Sequence, residues 1–188
     1  MSDVELVVLL DPNGQPCGTA PKHEVHHLDT PLHLAFSCYV FDSQGRVLVT
    51  RRALSKIAWP GVWTNSFCGH PAPGEDVVEA LRRRARWELG IEISEVELRL
   101  PDFRYRAVDA GGIVENEVCP VYTATTSDGV IPRESEVCDF QWVPVSGLST
   151  AATAAPWAFS PWLVLQLKQL ELDELQHKDP EPRPVSPP

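Results

Sequence analysis

The sequence predicts an α+β fold built on a mixed β-sheet. Three observations carry this. The chain has 188 residues, 43% of them hydrophobic, which suits one soluble domain with a sizeable core. Runs that read as strands outnumber those that read as helices. One long helical pattern lies mid-chain rather than alternating with the strands, which separates α+β from α/β.

The elements follow in order. Residues 4–10 are an apolar run ending at Asp11-Pro12-Asn13-Gly14, a strand stopped by a turn. Residues 21–31 are polar and histidine-rich and read as loop or a short helical turn. Residues 32–41 read as a strand, and Asp42-Ser43-Gln44-Gly45 as the hairpin turn into a strand over 46–51. Trp59-Pro60-Gly61-Val62-Trp63 makes a rigid aromatic corner. Residues 75–89 form the clearest helix, with Gly74 before it, acidic residues in its first turn and Gly90 at its end. Strands follow over 96–100, 103–108, 113–122 and 137–144, and a second helix over about 161–176. Residues 1–177 read as one domain. The last nine residues hold five of the 18 prolines, and 178–188 read as a disordered tail.

Charge and cysteine usage exclude several classes. With 16 Lys and Arg against 26 Asp and Glu, the net charge is −10, which opposes general nucleic-acid binding. A local basic cluster can still hold a small anion. The five cysteines are widely spaced with no C-x-x-C pair, so neither a disulfide framework nor a zinc finger is expected. The acidic start lacks a signal peptide's basic region, and no apolar run approaches the ~20 residues that span a bilayer. The expectation is a reduced, soluble, cytoplasmic protein with no membrane partner.

Several residues stand out chemically. On the helix over 75–89, Val77, Val78, Leu81, Ala85 and Leu89 share one apolar arc, opposite Glu79, Arg82, Arg83 and Arg86. Arg84 and Glu88 break the pattern by falling within the apolar arc. Either they form an i,i+4 pair at its rim, or the helix lines a polar site. In Glu115-Asn116-Glu117, strand alternation puts both carboxylates on one face. Solvent exposure is the simpler reading of that strand alone; a cation between the two is the other. Six histidines, His23, His26, His27, His33, His70 and His177, supply with them a ligand inventory for Zn²⁺, Mn²⁺ or Fe²⁺, without indicating which converge. Cys68 sits beside His70 before a Gly-Pro-rich loop, as an inert buried cysteine or, near a cation and a helix start, a reactive one. Arg51, Arg52 and Lys56 are either a solvated hairpin end or a diphosphate clamp.

Residues 69–91 resemble the Nudix signature: Gly69, Glu75, Arg83, Glu88, Gly90 and Ile91 match in register. Arg84 and Trp87 replace two of the glutamates that hold metal in Nudix hydrolases, which argues against diphosphate hydrolysis. The chain is similar over residues 4–170 to the type 1 isopentenyl diphosphate isomerases. The stretches that carry this are Leu32-His33-Leu34-Ala35-Phe36-Ser37, Arg51-Arg52-Ala53-Leu54-Ser55-Lys56, Trp59-Pro60-Gly61-Val62-Trp63-Thr64-Asn65-Ser66, Cys68-Gly69-His70-Pro71, Phe103-Arg104-Tyr105-Arg106, Glu115-Asn116-Glu117-Val118-Cys119-Pro120 and Pro156-Trp157-Ala158-Phe159-Ser160-Pro161-Trp162.

The resemblance implies an α+β Nudix-type α/β/α sandwich with a central mixed β-sheet. It implies a first divalent ion, Mn²⁺, Zn²⁺ or Mg²⁺, on His26, His33, His70, Glu115 and Glu117. It implies a Mg²⁺ arriving with the substrate diphosphate, on Glu88 and the backbone carbonyl of Cys68. Cys68 and Glu117 match the catalytic pair, Tyr105 an assisting tyrosine and Trp162 an aromatic residue over the reacting carbons. Lys22, Arg52, Lys56 and Arg84 match diphosphate-binding positions. The implied reaction converts isopentenyl diphosphate to dimethylallyl diphosphate through a tertiary carbocation, with Glu117 and Tyr105 delivering a proton and a Cys68 thiolate removing another, or with the two roles reversed, since residue identity does not fix the direction. A Nudix hydrolase and a non-enzymatic metal-binding domain are the competing classes.

Overall fold

A computed structural model gives the architecture, and it describes residues 5–170. The chain begins with β1 (Leu6–Leu10), β2 (Pro16–Pro21) and the one-turn helix α1 (Lys22–Val25). Next come β3 (His33–Leu34), β4 (Phe36–Phe41), β5 (Val47–Arg52), β6 (Trp63–Thr64) and β7 (Phe67–Gly69). Helix α2 (Val77–Leu89) precedes β8 (Ser94–Leu100), β9 (Arg104–Val108), β10 (Val114–Val118), β11 (Val121–Thr125) and β12 (Val137–Val143). Helix α3 (Val145–Ala154), a 3₁₀ turn over Pro156–Ala158 and α4 (Pro161–Leu167) complete it.

Two mixed sheets result, one ordered β2-β1-β3-β10-β9 and the other β12-β5-β4-β11-β8, with β6 and β7 added to β5 and β4. The continuous strands expected over 32–41 and 113–122 each serve both sheets. The break falls at Ala35 in one and at Cys119-Pro120 in the other. Both breaks lie side by side, because β3 runs parallel to β10 and β4 parallel to β11. Pro120 has no N–H for a ladder, but its carbonyl accepts from Ser37 N at 3.0 Å, and Ala35 N donates to Val118 O at 2.9 Å.

Alternation along β4 and β5 feeds two cores. Cys38, Val40 and Leu48 join Leu81, Ala85 and Leu89 of α2. Tyr39, Val47 and Val49 point the other way, to Val145, Leu148 and Ala152 of α3 and Trp162 and Leu163 of α4. Helices thus cover both faces of the second sheet, which is the expected α/β/α layering, and β4 is buried nearly throughout as a doubly covered strand should be.

Helix α2 starts two residues later than expected. Asp76 caps it, accepting from Val78 N and Glu79 N, and Gly90 closes it in the left-handed conformation at φ 66°. The short strands β2, β6 and β7 and helix α3 had no periodic signal. Helix α4 begins at Pro161 as expected but ends at Leu167, with Lys168 and Gln169 in a turn, short of the expected 176; residues 171–176 and the proline-rich tail lie outside the described residues. Among the described residues, no helix is long and apolar enough to cross a membrane.

Candidate active site

Three adjacent strands of the first sheet place one row of side chains. Glu117 on β10 lies opposite His33 of β3 on one side and Tyr105 of β9 on the other. Cross-strand neighbours on one face meet, so the three converge. The Tyr105 hydroxyl donates to Glu117 Oε2 at 2.9 Å, and His33 Nε2 stands 3.4 Å from Oε1. His70, directly after β7, brings Nε2 to 3.2 Å from the same Oε1. His26 follows α1, and its Nε2 lies 3.0 Å from Glu115 Oε2. The expected exposure of Glu115 and Glu117 is therefore overturned: each is 5% exposed, because the face that repeats every second residue is the inner one.

The cluster fits a divalent cation. His26, His33, His70 and Glu117 each offer a ligand atom, all within 4.8 Å of one another. Glu115 joins through His26. His26 Nε2, His33 Nε2 and Glu115 Oε2 are buried yet make no aligned hydrogen bond. Orphaned polar atoms cost stability unless something else satisfies them. His33 Nδ1 donates to Pro31 O at 2.9 Å, which leaves Nε2 its lone pair, the tautomer a metal ligand needs. Of the other histidines, His23 pairs with exposed Glu24, His27 Nδ1 accepts from Asp29 N, and His177 lies outside the described residues.

The electrostatics are those of crowded, buried charge. Burial, then the Glu117 charge, pushes the Glu115 carboxyl up. Burial also opposes ionisation of Glu117, but His33 and His70 outweigh it and hold that carboxyl well below the usual range. Burial brings His70 down to about 3, so it is a neutral imidazole.

A cavity of about 430 Å³ opens beside the cluster, lined by Cys68, Glu117, Tyr105 and Trp162 together with Lys22, Arg52, Lys56, Arg84 and Glu88. Cys68 is not on a loop but on β7, where it pairs with Ser37 of β4. Its sulfur lies 3.3 Å from Ser37 Oγ, which accepts from the Gln166 amide at 2.9 Å. Burial pushes the thiol up to about 12; the Ser37 bond opposes this and the Glu117 charge adds to it. That direction favours the protonated form of the sulfur.

Trp162 from α4 is 2% exposed, edge-on to Trp59 at 5.7 Å and tilted against Tyr105 at 5.7 Å. Trp59 itself takes φ 45°, an uncommon conformation for a bulky residue and a strain the surrounding packing must hold in place.

The basic residues are gathered but engaged. Lys22 donates to Glu5 at 3.0 Å, and burial lowers its pKa. Lys56 pairs with Glu136, and Arg84 with Glu88 and, at 3.5 Å, with Glu136. Arg52 donates to the carbonyls of Ala58 and Trp59 and lies 5.3 Å from the Trp162 ring centroid. Arg84 and Glu88 do form the i,i+4 pair, but buried and lining the cavity rather than at the rim, so both readings of the helix apply. Trp87, at the other departure from the Nudix pattern, is exposed and stacked under Arg133 at 3.5 Å. Sequence reasoning missed Glu136, Ser37, Gln166 and any role for Asn65. None of them carries a periodicity signal of its own, although Ser37 and Asn65 lie within stretches quoted above.

The fold and this site define a class. The NUDIX domain family model matches residues 31–163. A Deinococcus radiodurans protein, DR0079, shares the fold at a TM-score of 0.68, with 21% identity over 89% of this chain and 99% of its own. A MutT protein from Methanosarcina mazei does so at 0.60, with 14% identity over 79% and 97%.

Within that class the similarity narrows. The isopentenyl-diphosphate Delta-isomerase of Agromyces mediolanus is 66% identical over 90% of this chain and 82% of its own length. That of Clavibacter michiganensis is 62% identical over 92% and 89%. The chain belongs to the isopentenyl-diphosphate Delta-isomerase family of Nudix proteins.

Proposed function

We propose that the chain isomerises isopentenyl diphosphate to dimethylallyl diphosphate, moving the double bond from the terminal to the allylic position. The observation that supports this most is one cavity lined by Cys68 from the second sheet, Glu117 from the first and Trp162 from α4. The reaction adds a proton to the terminal alkene carbon and removes one from the carbon nearer the diphosphate. It requires two proton-handling groups and stabilisation of a tertiary carbocation.

Glu117, with Tyr105 beside it, and Cys68 are the two proton-handling groups, one adding a proton and the other removing one. Tyr105 keeps Glu117 Oε2 in a hydrogen bond, so the oxygen that exchanges the proton has a fixed direction. The Trp162 indole offers its π face to the cation and no lone pair that could trap it. Burial of the wall excludes the water that would quench the cation.

His26, His33, His70, Glu115 and Glu117 hold the first divalent ion, Mn²⁺, Zn²⁺ or Mg²⁺. Glu88 and the Cys68 carbonyl hold a Mg²⁺ with the substrate. When bound, these ions supply positive charge that fixes Glu117 and neutralises the diphosphate. Lys22, Arg52, Lys56 and Arg84 grip the diphosphate, which competes with Glu5, Glu88 and Glu136 for their donors. The partner is this small molecule rather than nucleic acid or membrane, and five free cysteines suit the cytoplasm. The test is incubation with isopentenyl diphosphate and Mg²⁺, assaying acid-labile allylic diphosphate and free phosphate together. Allylic product without phosphate supports the reading; phosphate alone makes the chain a hydrolase.

A further inference from the structure

Asn65 lies between β6 and β7 and is fully buried, next to the cavity-lining Thr64 and hydrogen-bonded to the cavity-lining Cys68 and Trp162. Its amide Nδ2 donates to two main-chain carbonyls, Cys38 O at 3.0 Å and Phe67 O at 2.7 Å. Both N–H groups are thereby committed, so the amide cannot flip, and Oδ1 is left solely as an acceptor. That one oxygen receives the Cys68 thiol at 3.3 Å and the Trp162 Nε1–H at 3.0 Å, with the Thr64 hydroxyl at 2.9 Å as a third donor.

We propose that Asn65 is a positioning residue which, through this single oxygen, holds the proton-transferring sulfur and the cation-facing indole in register with each other. The inference rests on the isomerase reading above. Sulfur and indole come from separate elements, β7 and α4, and the shared acceptor ties one to the other. Without it, the sulfur is held by Ser37 Oγ alone, at 3.3 Å, and the indole loses the bond that fixes its tilt. A misplacement of about 1 Å at reacting groups costs on the order of 100-fold in rate. The diphosphate grip is made by other residues, so the loss falls on kcat.

The experiment compares wild type with Asn65→Ala as metal-loaded enzymes. The expected result is a fall in kcat of about 100-fold, with KM for isopentenyl diphosphate held within about threefold. Metal content stays the same, and the Trp162 indole N–H resonance shifts and exchanges faster. Trp162→Phe removes the N–H together with the pyrrole ring and so lowers kcat through the cation as well, but Asn65→Ala adds less in that background than alone. Should Asn65→Ala fail to fold, Asn65→Ser, whose shorter hydroxyl withdraws the shared acceptor, carries the test in its place with the same readouts. Unchanged kcat in a folded variant, a loss confined to KM, or full additivity of the two substitutions overturns the proposal. If wild type forms no allylic isomer, the isomerase reading falls and this inference with it; if wild type does and the variants match it, only this inference falls.

Discussion

Tyr105 and Glu117 face each other on neighbouring antiparallel strands, and the phenol donates to Glu117 Oε2 at 2.9 Å. The same carboxylate has His33 and His70 at its other oxygen, so one side divides between ion cluster and phenol. Glu117 is thus the residue through which the metal site and the reacting site communicate.

Tyr105→Phe removes only the phenolic donor. The expected outcome is a fall in kcat of about 100-fold, at the lower end of what a positioned acid–base partner contributes. KM and metal content change little. Steady-state kinetics and elemental analysis check this.

Cys68→Ser and Glu117→Gln separate chemistry from ion binding. Both lower turnover by about 1000-fold or more, since each removes one of two required proton carriers. Glu117→Gln also reduces bound metal, because it deletes a ligand carboxylate, while Cys68→Ser retains the metal. Near-normal turnover in either would rule out the two-group scheme.

Gly69→Ala tests how closely α2 approaches β7. A Cβ there would stand 2.7 Å from Phe36 Cζ and 2.8 Å from the Arg84 Cγ, neither a free side-chain end. The expected cost is about 1–3 kcal/mol of stability from overpacking, with a raised KM as Arg84 is displaced. Denaturant titration and kinetics read both.

Glu75 and Arg83 tie the loop before α2 to the helix through two hydrogen bonds, at 2.7 and 2.8 Å. The Arg83 bonds, foremost, hold the Glu75 carboxyl below its ordinary value. A carboxyl depressed on folding adds stability above its unfolded pKa and loses it as pH falls through the folded one. Arg83 is substantially exposed, so solvent screening holds the effect to about 1 kcal/mol or less. Glu75→Gln should therefore melt below wild type at neutral pH, with the gap narrowing below about pH 4.5, the carboxyl's ordinary value. A gap independent of pH would contradict this.

Much of the fold was legible in local pattern. The helix over α2 showed its apolar arc and its glycine stop, and the inward positions of Arg84 and Glu88 announced themselves as exceptions to that arc. What was not legible is tertiary. Strand alternation says that Glu115 and Glu117 share a face, but not that β3 and β9 flank β10 and make that face the interior. The two strands that cross between sheets read as continuous because their hydrophobicity does not change at Ala35 or Pro120. Residues such as Ser37, Gln166 and Asn65 act through contacts distant in sequence, and an isolated polar residue carries no period to betray it. The basic cluster was foreseeable from composition and motif; its pairing with Glu5 and Glu136 was not.

The central claim is proton-in, proton-out isomerisation, and the most direct test is proton NMR of the metal-loaded protein with isopentenyl diphosphate and Mg²⁺ in D₂O. The account predicts dimethylallyl diphosphate carrying deuterium in the methyl group formed from the terminal carbon, with no released phosphate. Allylic product free of deuterium, or phosphate in place of product, would contradict it.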